Sequence, residues 1–156
     1  MQILNIGPEK ALEKIKHYCA YQERNHQEVK EKLYSFGLYK DQVESLLSSL
    51  ISENYLNEER YAIAFAGGKF RTKDWGRVKI KYELKQHQIS DYCIKKALLS
   101  ISTEEYNRKL DKLLVAKLKT IKSEKNIYVK KRKIMNYLLQ KGYESSLINE
   151  LLQKYK

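Results

Sequence analysis

Residues that mark disulfide frameworks, metal centres and membrane spans are scarce in this 156-residue sequence. Its two cysteines, Cys19 and Cys93, are too few and too far apart for a disulfide framework, and the three histidines form no ligand spacing with them. We therefore predict no metal site and expect both cysteines to be small buried side chains. No run approaches the roughly 20 apolar residues that span a bilayer, and no basic-then-apolar leader opens the chain. We expect a cytoplasmic protein with no membrane span.

Catalytic motifs are also missing from the sequence. There is no glycine-rich phosphate loop and no pairing of a nucleophile with a base. The adjacent acids Glu58/Glu59 and Glu104/Glu105 suit the positive end of a helix dipole better than acid–base catalysis. We predict that the protein is not an enzyme, and that it has no catalytic residue and no cofactor.

Proline and strand patterns are equally rare, which leaves helix as the predicted structure. Pro8, the only proline, stands where a first helical turn tolerates it, and apolar residues recur at helical spacing in nine segments. Gly67 and Gly68 predict that the helix near Glu58 either ends early or lies close to a neighbouring element, and Arg71–Gly76 is predicted as a loop. Side chains that can cap helices precede several segments, and a glycine follows one: the predicted N-caps are Asn25, Asn57, Ser90 and Ser102 or Thr103, and Gly37 is the predicted left-handed residue.

What the sequence does contain is a threefold repeat. The stretch "VKEKLYSFGL" from Val29 returns as "IKYELKQHQI" from Ile80 and as "IMNYLLQKGY" from Ile134. Such repetition predicts an all-α fold, an elongated array of three tandem three-helix (helix-turn-helix-like) repeats over residues 1–52, 53–101 and 102–156. The shared apolar anchors are Val29/Ile80/Ile134, Leu33/Leu84/Leu138, Leu38/Ile89/Tyr143, Val43/Ile94/Ile148 and Leu47/Leu98/Leu152.

Positive charge is abundant and unevenly placed. The net charge is +12, yet residues 1–60 hold 8 Lys/Arg and 10 Asp/Glu, whereas residues 61–156 hold 23 and 9. An excess confined to one part of the chain predicts a surface that faces a polyanion or an acidic protein.

Two segments concentrate this charge and supply the predicted contact residues. In "KFRTKDWGRVKIKYELK", cations could reach phosphates while Trp75 or Phe70 offers a stacking face, or both rings could be core anchors beside a solvated charged face. In "VKKRKIMNYLLQKG", four consecutive cations cannot all face a core, and a polyanion or acidic groove explains them better than bare solvation. The preceding helix could broaden this second patch through Lys117, Lys119, Lys122 and Lys125. The candidate contacts are Lys69, Arg71, Lys73, Arg77, Lys79, Lys81, Lys130, Lys131, Arg132 and Lys133.

Three stretches together resemble the RecX family of RecA regulators: "YLNEERYA", "GRVKIKYELKQHQI" and "KKRKIMNYLLQKGY". The resemblance covers nearly the whole chain and implies tandem three-helix units. In "YLNEERYA" it implies that Tyr61 and Ala62 turn inward and that Arg60 is exposed. Gln88 departs from the family pattern, which has glycine at this position. The turn of the second repeated stretch must therefore form without glycine, the residue that adopts left-handed backbone at little cost.

The resemblance also implies a function. The protein would bind the groove of the RecA–single-stranded-DNA filament as a cytoplasmic monomer. It would inhibit RecA ATPase, strand exchange and filament growth in homologous recombination, DNA repair and the SOS response. Direct contact with single-stranded DNA would be weaker on bare DNA than on the filament.

Two other classes of protein fit the same composition. A helix-turn-helix DNA binder predicts tight binding to duplex DNA alone. An interaction scaffold whose charges only keep it soluble predicts no salt-sensitive partner.

Overall fold

The computed structural model describes residues 4–155, and within this part of the chain nine helices and no strand occur. The predicted all-α fold is confirmed. Residues 1–3 and 156, the outermost residues of the predicted first and third repeats, lie outside the described part. The helices are α1 Pro8–Tyr21, α2 His26–Ser35, α3 Lys40–Ser52, α4 Glu58–Lys73, α5 Arg77–Gln86, α6 Asp91–Leu99, α7 Thr103–Thr120, α8 Ile127–Lys141 and α9 Ser145–Lys154.

The same turn occurs in all three copies of the repeated stretch. Gly37, Gln88 and Gly142 follow α2, α5 and α8, and each has left-handed backbone, with φ of 81°, 61° and 97°. Gln88 therefore adopts a conformation that L side chains rarely adopt, so the second turn forms without glycine. The repeated apolar anchors are buried in all three copies, except Leu98, which is half-buried. Repeated sequence has thus produced repeated structure.

Local side-chain chemistry starts the helices where the sequence predicted. Each predicted cap accepts a hydrogen bond from the backbone N–H three residues later, which satisfies one of the unpaired donors of a first helical turn. Ser102, rather than Thr103, caps α7. The donating backbone N–H and the accepting side chain are those of Glu28 and Asn25 (2.7 Å), Arg60 and Asn57 (2.8 Å), Cys93 and Ser90 (3.3 Å), and Glu105 and Ser102 (3.1 Å).

The glycine pair Gly67–Gly68 does not end α4, which continues to Lys73. The prediction of an early end is therefore wrong, and so is the loop predicted from Arg71, since only residues 74–76 lie between α4 and α5. The physical reason is burial, since α4 places Ala62, Ala66 and Phe70 in the interior. Their burial outweighs the roughly 1 kcal/mol by which each glycine weakens a helix relative to alanine.

Backbone packing divides the chain into two compact units, Met1–Ala64 and Phe65–Lys156, and the boundary lies inside α4. In the first unit, α1, α2 and α3 pack around fully buried Ile15, Val29 and Leu50. Arg60 in this unit is less exposed than the resemblance implied, since 39% of its side chain is accessible. Its guanidinium pairs with the Glu23 carboxylate and donates a hydrogen bond to the carbonyl of Asn54 at 3.0 Å. Arg60 therefore stabilises the start of α4.

In the second unit, α5 packs on α6, and α8 packs on both α7 and α9. Aromatic rings fill the interior near the start of α7: Phe70 stacks on Tyr106 with centroids 5.9 Å apart, and Tyr106 lies 5.1 Å from Tyr143. All three side chains are buried, and this aromatic cluster supports the charged surface described next.

Candidate interaction surface

The excess of positive over negative charge lies in the second compact unit. Because residues 61–64 carry no charge, this unit holds all 23 Lys/Arg and 9 Asp/Glu that follow residue 60. All ten predicted contact residues belong to it. The structure therefore places the candidate surface on one unit of the chain, and leaves the other nearly neutral.

Trp75 brings two of the predicted contacts together. It lies in the connection between α4 and α5, where its backbone N–H donates to the carbonyl of Lys69 at 3.2 Å. The ammonium groups of Lys69 and Lys79 lie 5.1 and 4.7 Å from the centroid of the Trp75 ring. An indole ring attracts cations in this geometry, which orients both lysines. Trp75 is half-buried, whereas Phe70 is 3% exposed, so of the two rings Phe70 is the core anchor.

Arg77 takes part in a network that joins the start of α5 to the start of α9. Its guanidinium forms a 2.8 Å ion pair with Glu144 and lies 3.8 Å from the centroid of the Tyr106 ring. Its backbone N–H donates to the Tyr106 hydroxyl at 2.9 Å, and that hydroxyl donates to the Glu144 carboxylate. Burial raises the pKa of Tyr106, and the hydrogen bond to Glu144 raises this pKa further. Arg77 is thus a structural residue as well as a predicted contact.

The backbone of α5 begins on the end of α8. The N–H of Gly76 donates to the carbonyl of Lys141 at 2.7 Å, and the N–H of Val78 donates to that of Gly142 at 2.9 Å. The Tyr143 hydroxyl adds a 3.0 Å hydrogen bond to the carbonyl of Asp74. These bonds fix the first charged segment against the helix that carries the second.

The run of four cations occupies the first two turns of α8. Asn126 caps this helix by accepting the N–H of Tyr128 at 2.9 Å, so the run follows directly after the capped turn. Lys130 and Lys131 are half-buried, while Arg132 and Lys133 are exposed. Lys133 pairs with Glu124 at 3.7 Å. On the same helix, Ile134 and Leu138 are buried and Met135 is half-buried, as the predicted apolar stripe requires.

Basic residues that sequence reasoning missed lie beside the predicted ones. A pocket of about 270 Å³ brings Arg71 of α4 next to Arg108 and Lys112 of α7. Lys109 also lines this pocket, and its ammonium pairs with Asp74 at 2.7 Å. Only the spacing of cations along α7 could have indicated these residues, since their proximity to Arg71 depends on tertiary packing.

A larger groove of about 550 Å³ has cations on both sides. Lys81 and Lys85 of α5 and Lys95 of α6 line it, together with Arg77 and several aliphatic side chains. Of these cations, Arg77 and Lys81 were predicted contacts, Lys85 was part of the predicted segment, and Lys95 was missed. The groove and the basic pocket beside Arg71 show that the charged surface is concave in two places.

Two further features of the described residues concern metals and membranes. Among residues 4–155, no three His, Cys, Asp or Glu side chains are grouped so that they could hold a metal ion. None of the helices in this part of the chain combines the length and apolar character that crossing a membrane requires. Both cysteines are buried thiols, as predicted.

The chain is similar to proteins of one family along most of its length. Models of the second and third three-helix domains of RecX match residues 57–98 and 104–152, which together exceed half of the chain. The regulatory protein RecX of Clostridium perfringens (strain 13 / Type A) is 30% identical over 84% of this chain and 61% of its own length. The regulatory protein RecX of Prosthecochloris aestuarii is 27% identical over 93% of each chain.

Solved structures give the same result for the fold. The crystal structure of RecX from Lactobacillus salivarius superposes with a TM-score of 0.84 at 25% identity, covering 94% of this chain and 95% of that one. Against the first curated relatives, the chain spans between 50% and 61% of their length.

Proposed function

The chain belongs to the RecX family, and from this premise we propose that it is a regulator of RecA that binds along the groove of the RecA–single-stranded-DNA filament. Bound there, it inhibits the DNA-dependent ATPase of RecA, strand exchange and filament growth. The observation that carries this proposal is the confinement of the excess positive charge to the unit Phe65–Lys156, which also contains most of the residues matched by the two domain models.

The arrangement of this charge suits a filament better than a single compact ligand. The cations lie on five helices, α4 to α8, in two concave sites and on the exposed start of α8. A filament repeats the same protein and phosphate groups along its axis, so several weak charged contacts can form at once and their effects combine through avidity.

The proposal assigns different tasks to the candidate residues. Lys130, Lys131, Arg132 and Lys133 form an exposed or half-exposed group that can approach phosphate oxygens or acidic side chains. Lys69 and Lys79, held over Trp75, present a more rigid pair of cations. The Arg77 guanidinium, already paired with Glu144, mainly fixes the start of α5.

The test is a titration of the protein into RecA assembled on single-stranded DNA at near-physiological salt. ATP turnover and binding to the same DNA without RecA are recorded together. Inhibition well below the protein concentration that coats bare DNA is the expected result, since the filament is the proposed target.

The opposite result would favour direct binding to nucleic acid. If turnover is unaffected, or falls only once the DNA is saturated with this protein, then the basic surface does not act on the filament. Tight binding to duplex DNA, measured in a parallel titration without RecA, would indicate a helix-turn-helix DNA binder.

A further inference from the structure

The groove of about 550 Å³ lies between α5, α6 and the start of α7. We propose that it binds an acidic segment of a partner protein, and that this segment inserts an apolar side chain into the groove. The inference rests on the proposed function, because it assigns a protein contact, rather than a DNA contact, to this part of the surface. The volume of the groove lies within the usual range of about 300–1,000 Å³ for binding pockets, so the groove can accept one or a few side chains.

The cations of the groove form two walls. Arg77, Lys81 and Lys85 are spaced four residues apart on α5, so they lie on one face of that helix, and Lys95 lies across the groove on α6. Arg77 is paired with Glu144, but in the described part of the chain the three lysines form no salt bridge.

One acidic side chain opposes this charge. Among the described residues that line the groove, Asp91 is the one carboxylate, so the three lysines leave an excess of positive charge. Carboxylates of a bound segment would be complementary to this excess, which would speed association and select acidic partners.

The rest of the lining is aliphatic. Ile94 and Ile101 form a buried floor, with 2% and 7% of their surfaces exposed. Leu98 is half-buried, and Leu99, the last residue of α6, is 69% exposed. An apolar side chain that covers this exposed leucine and the buried aliphatic floor would lower the free energy of binding by about 25 cal/mol for each Å² of apolar surface removed from water.

This lining favours a protein segment over nucleic acid. Single-stranded DNA binds through phosphates on cations and through bases stacked on aromatic rings. Of the described residues lining the groove, none is aromatic, so bases would find no ring to stack on. A segment with Asp or Glu beside Leu, Ile or Phe satisfies both the lysines and the aliphatic floor.

Neighbouring residues on α6 provide a matched pair of variants. Lys95 lines the groove, whereas the ammonium of the adjacent Lys96 lies 5.5 Å from the centroid of the Tyr92 ring and does not line it. Binding of the full chain to the RecA filament and to bare single-stranded DNA would be measured by fluorescence anisotropy, with melting curves to establish that each variant is folded.

The expected effects separate charge from apolar contact. Lys95→Glu should raise the Kd for the filament by about three- to tenfold, while Lys96→Glu and Lys95→Arg should change it by less than about twofold. Leu99→Asn, which replaces the leucine with an uncharged polar side chain of similar size, should raise the filament Kd by about tenfold and leave the Kd for bare DNA within about twofold, because the leucine contacts protein.

A photo-crosslinker identifies what occupies the groove. With Leu99→p-benzoylphenylalanine in the full chain, ultraviolet light should join position 99 to a RecA peptide that contains acidic residues. Crosslinks to DNA, or filament binding of folded Lys95→Glu and Leu99→Asn that equals that of Lys96→Glu, would overturn the inference while the proposed function stands. Failure of the unmodified protein to bind the filament would instead reject the proposed function, and this inference with it.

Discussion

At the scale of single residues, Gly142 has two reasons to be glycine. Its φ of 97° is left-handed, and a Cβ built there would lie 2.3 Å from the Cβ of Lys79. We expect Gly142→Ala to lower the free energy of unfolding by about 2–4 kcal/mol, because it adds backbone strain and breaks the close approach of α5 to the end of α8. Urea unfolding followed by circular dichroism measures this loss.

Gly68 is the matched control for that variant. It lies inside α4, and a Cβ there would meet nothing within 4 Å. Gly68→Ala should raise the free energy of unfolding by about 1 kcal/mol through helix propensity alone. Equal stability of the two alanine variants would show that the contact between Gly142 and Lys79 does not constrain the fold.

Ionisation of Tyr106 makes the free energy of unfolding depend on pH in the alkaline range. Burial and the hydrogen bond to Glu144 raise its pKa in the folded protein above the value of about 10 that a free tyrosine has. The folded state therefore keeps its proton longer than the unfolded state does. This contribution to stability is complete below about pH 10 and is lost as the pH rises towards the folded-state pKa.

Tyr106→Phe tests this coupling. The variant should lose about 1–3 kcal/mol at neutral pH, because the N–H of Arg77 loses its acceptor and Glu144 loses a donor. Above about pH 10 its stability should fall less steeply than that of the unmodified protein, since phenylalanine does not ionise. Urea midpoints measured from pH 8 to 11 give both slopes, and parallel slopes would contradict the assignment.

At the scale of helices, the sequence is a good guide wherever the deciding chemistry is local. Asn25 and Ser90 were predictable caps because a cap needs only its own oxygen and an N–H three residues later. The continuation of α4 through Gly67–Gly68 was not predictable, because it depends on the burial of Ala66 and Phe70. Local propensity is worth about 1 kcal/mol per glycine, and tertiary packing overrides it.

The charged surface shows the same division. The lysine run from Lys130 is visible in the sequence, whereas the pairing of Arg77 with Glu144 joins residues 67 positions apart. Lys95 and Lys81 line the same groove only because α6 packs on α5. The uneven charge and the repeat could therefore be predicted from the sequence, whereas the two concave sites depend on how the helices pack.

Four consecutive cations in the first turns of α8 are an unfavourable arrangement, which supports a role in binding. The four cations follow directly after the capped first turn, where the partial positive charge of the helix N-terminus has largely fallen off, so the main repulsion is among the four cations themselves. Replacing Lys130, Lys131, Arg132 and Lys133 with alanine should leave the protein at least as stable and should weaken inhibition of RecA about tenfold or more. Melting curves and the ATP-turnover titration measure the two effects.

Four exposed lysines of the first unit provide the control for this variant. Alanine at Lys10, Lys14, Lys32 and Lys40 removes the same number of positive charges from Met1–Ala64, and inhibition should change by less than about twofold. If the folded α8 variant inhibits as strongly as the unmodified protein, then the run does not contact the filament.

At the scale of the whole molecule, the uneven charge predicts how binding responds to salt. Binding that displaces counterions from phosphates weakens linearly on a log–log plot, with a slope near −0.7 for each neutralised phosphate of a single strand. We expect the filament affinity to fall steeply with added salt. The α8 alanine variant should show a slope about 2–3 smaller in magnitude if its cations contact phosphate.

The same plot distinguishes the two kinds of contact proposed for the unit Phe65–Lys156. Leu99→Asn should weaken filament binding with little change in slope, because this variant loses an apolar contact without changing the charge of the surface. Identical slopes for the α8 variant and the unmodified protein would mean that the run meets acidic protein groups or nothing, rather than DNA.

The left-handed turn at Gln88 also affects which mutations can stabilise the protein. Left-handed backbone costs a non-glycine residue about 1 kcal/mol or more. Gln88→Gly would therefore remove this backbone strain and make the second turn like the turns at Gly37 and Gly142 in the other two copies. Glutamine and glycine codons differ at both of their first two positions, and the codons between them encode glutamate or arginine. Neither of these residues adopts left-handed backbone readily. Single-nucleotide mutagenesis would therefore miss this stabilising change, whereas a library that randomises the whole codon would recover it.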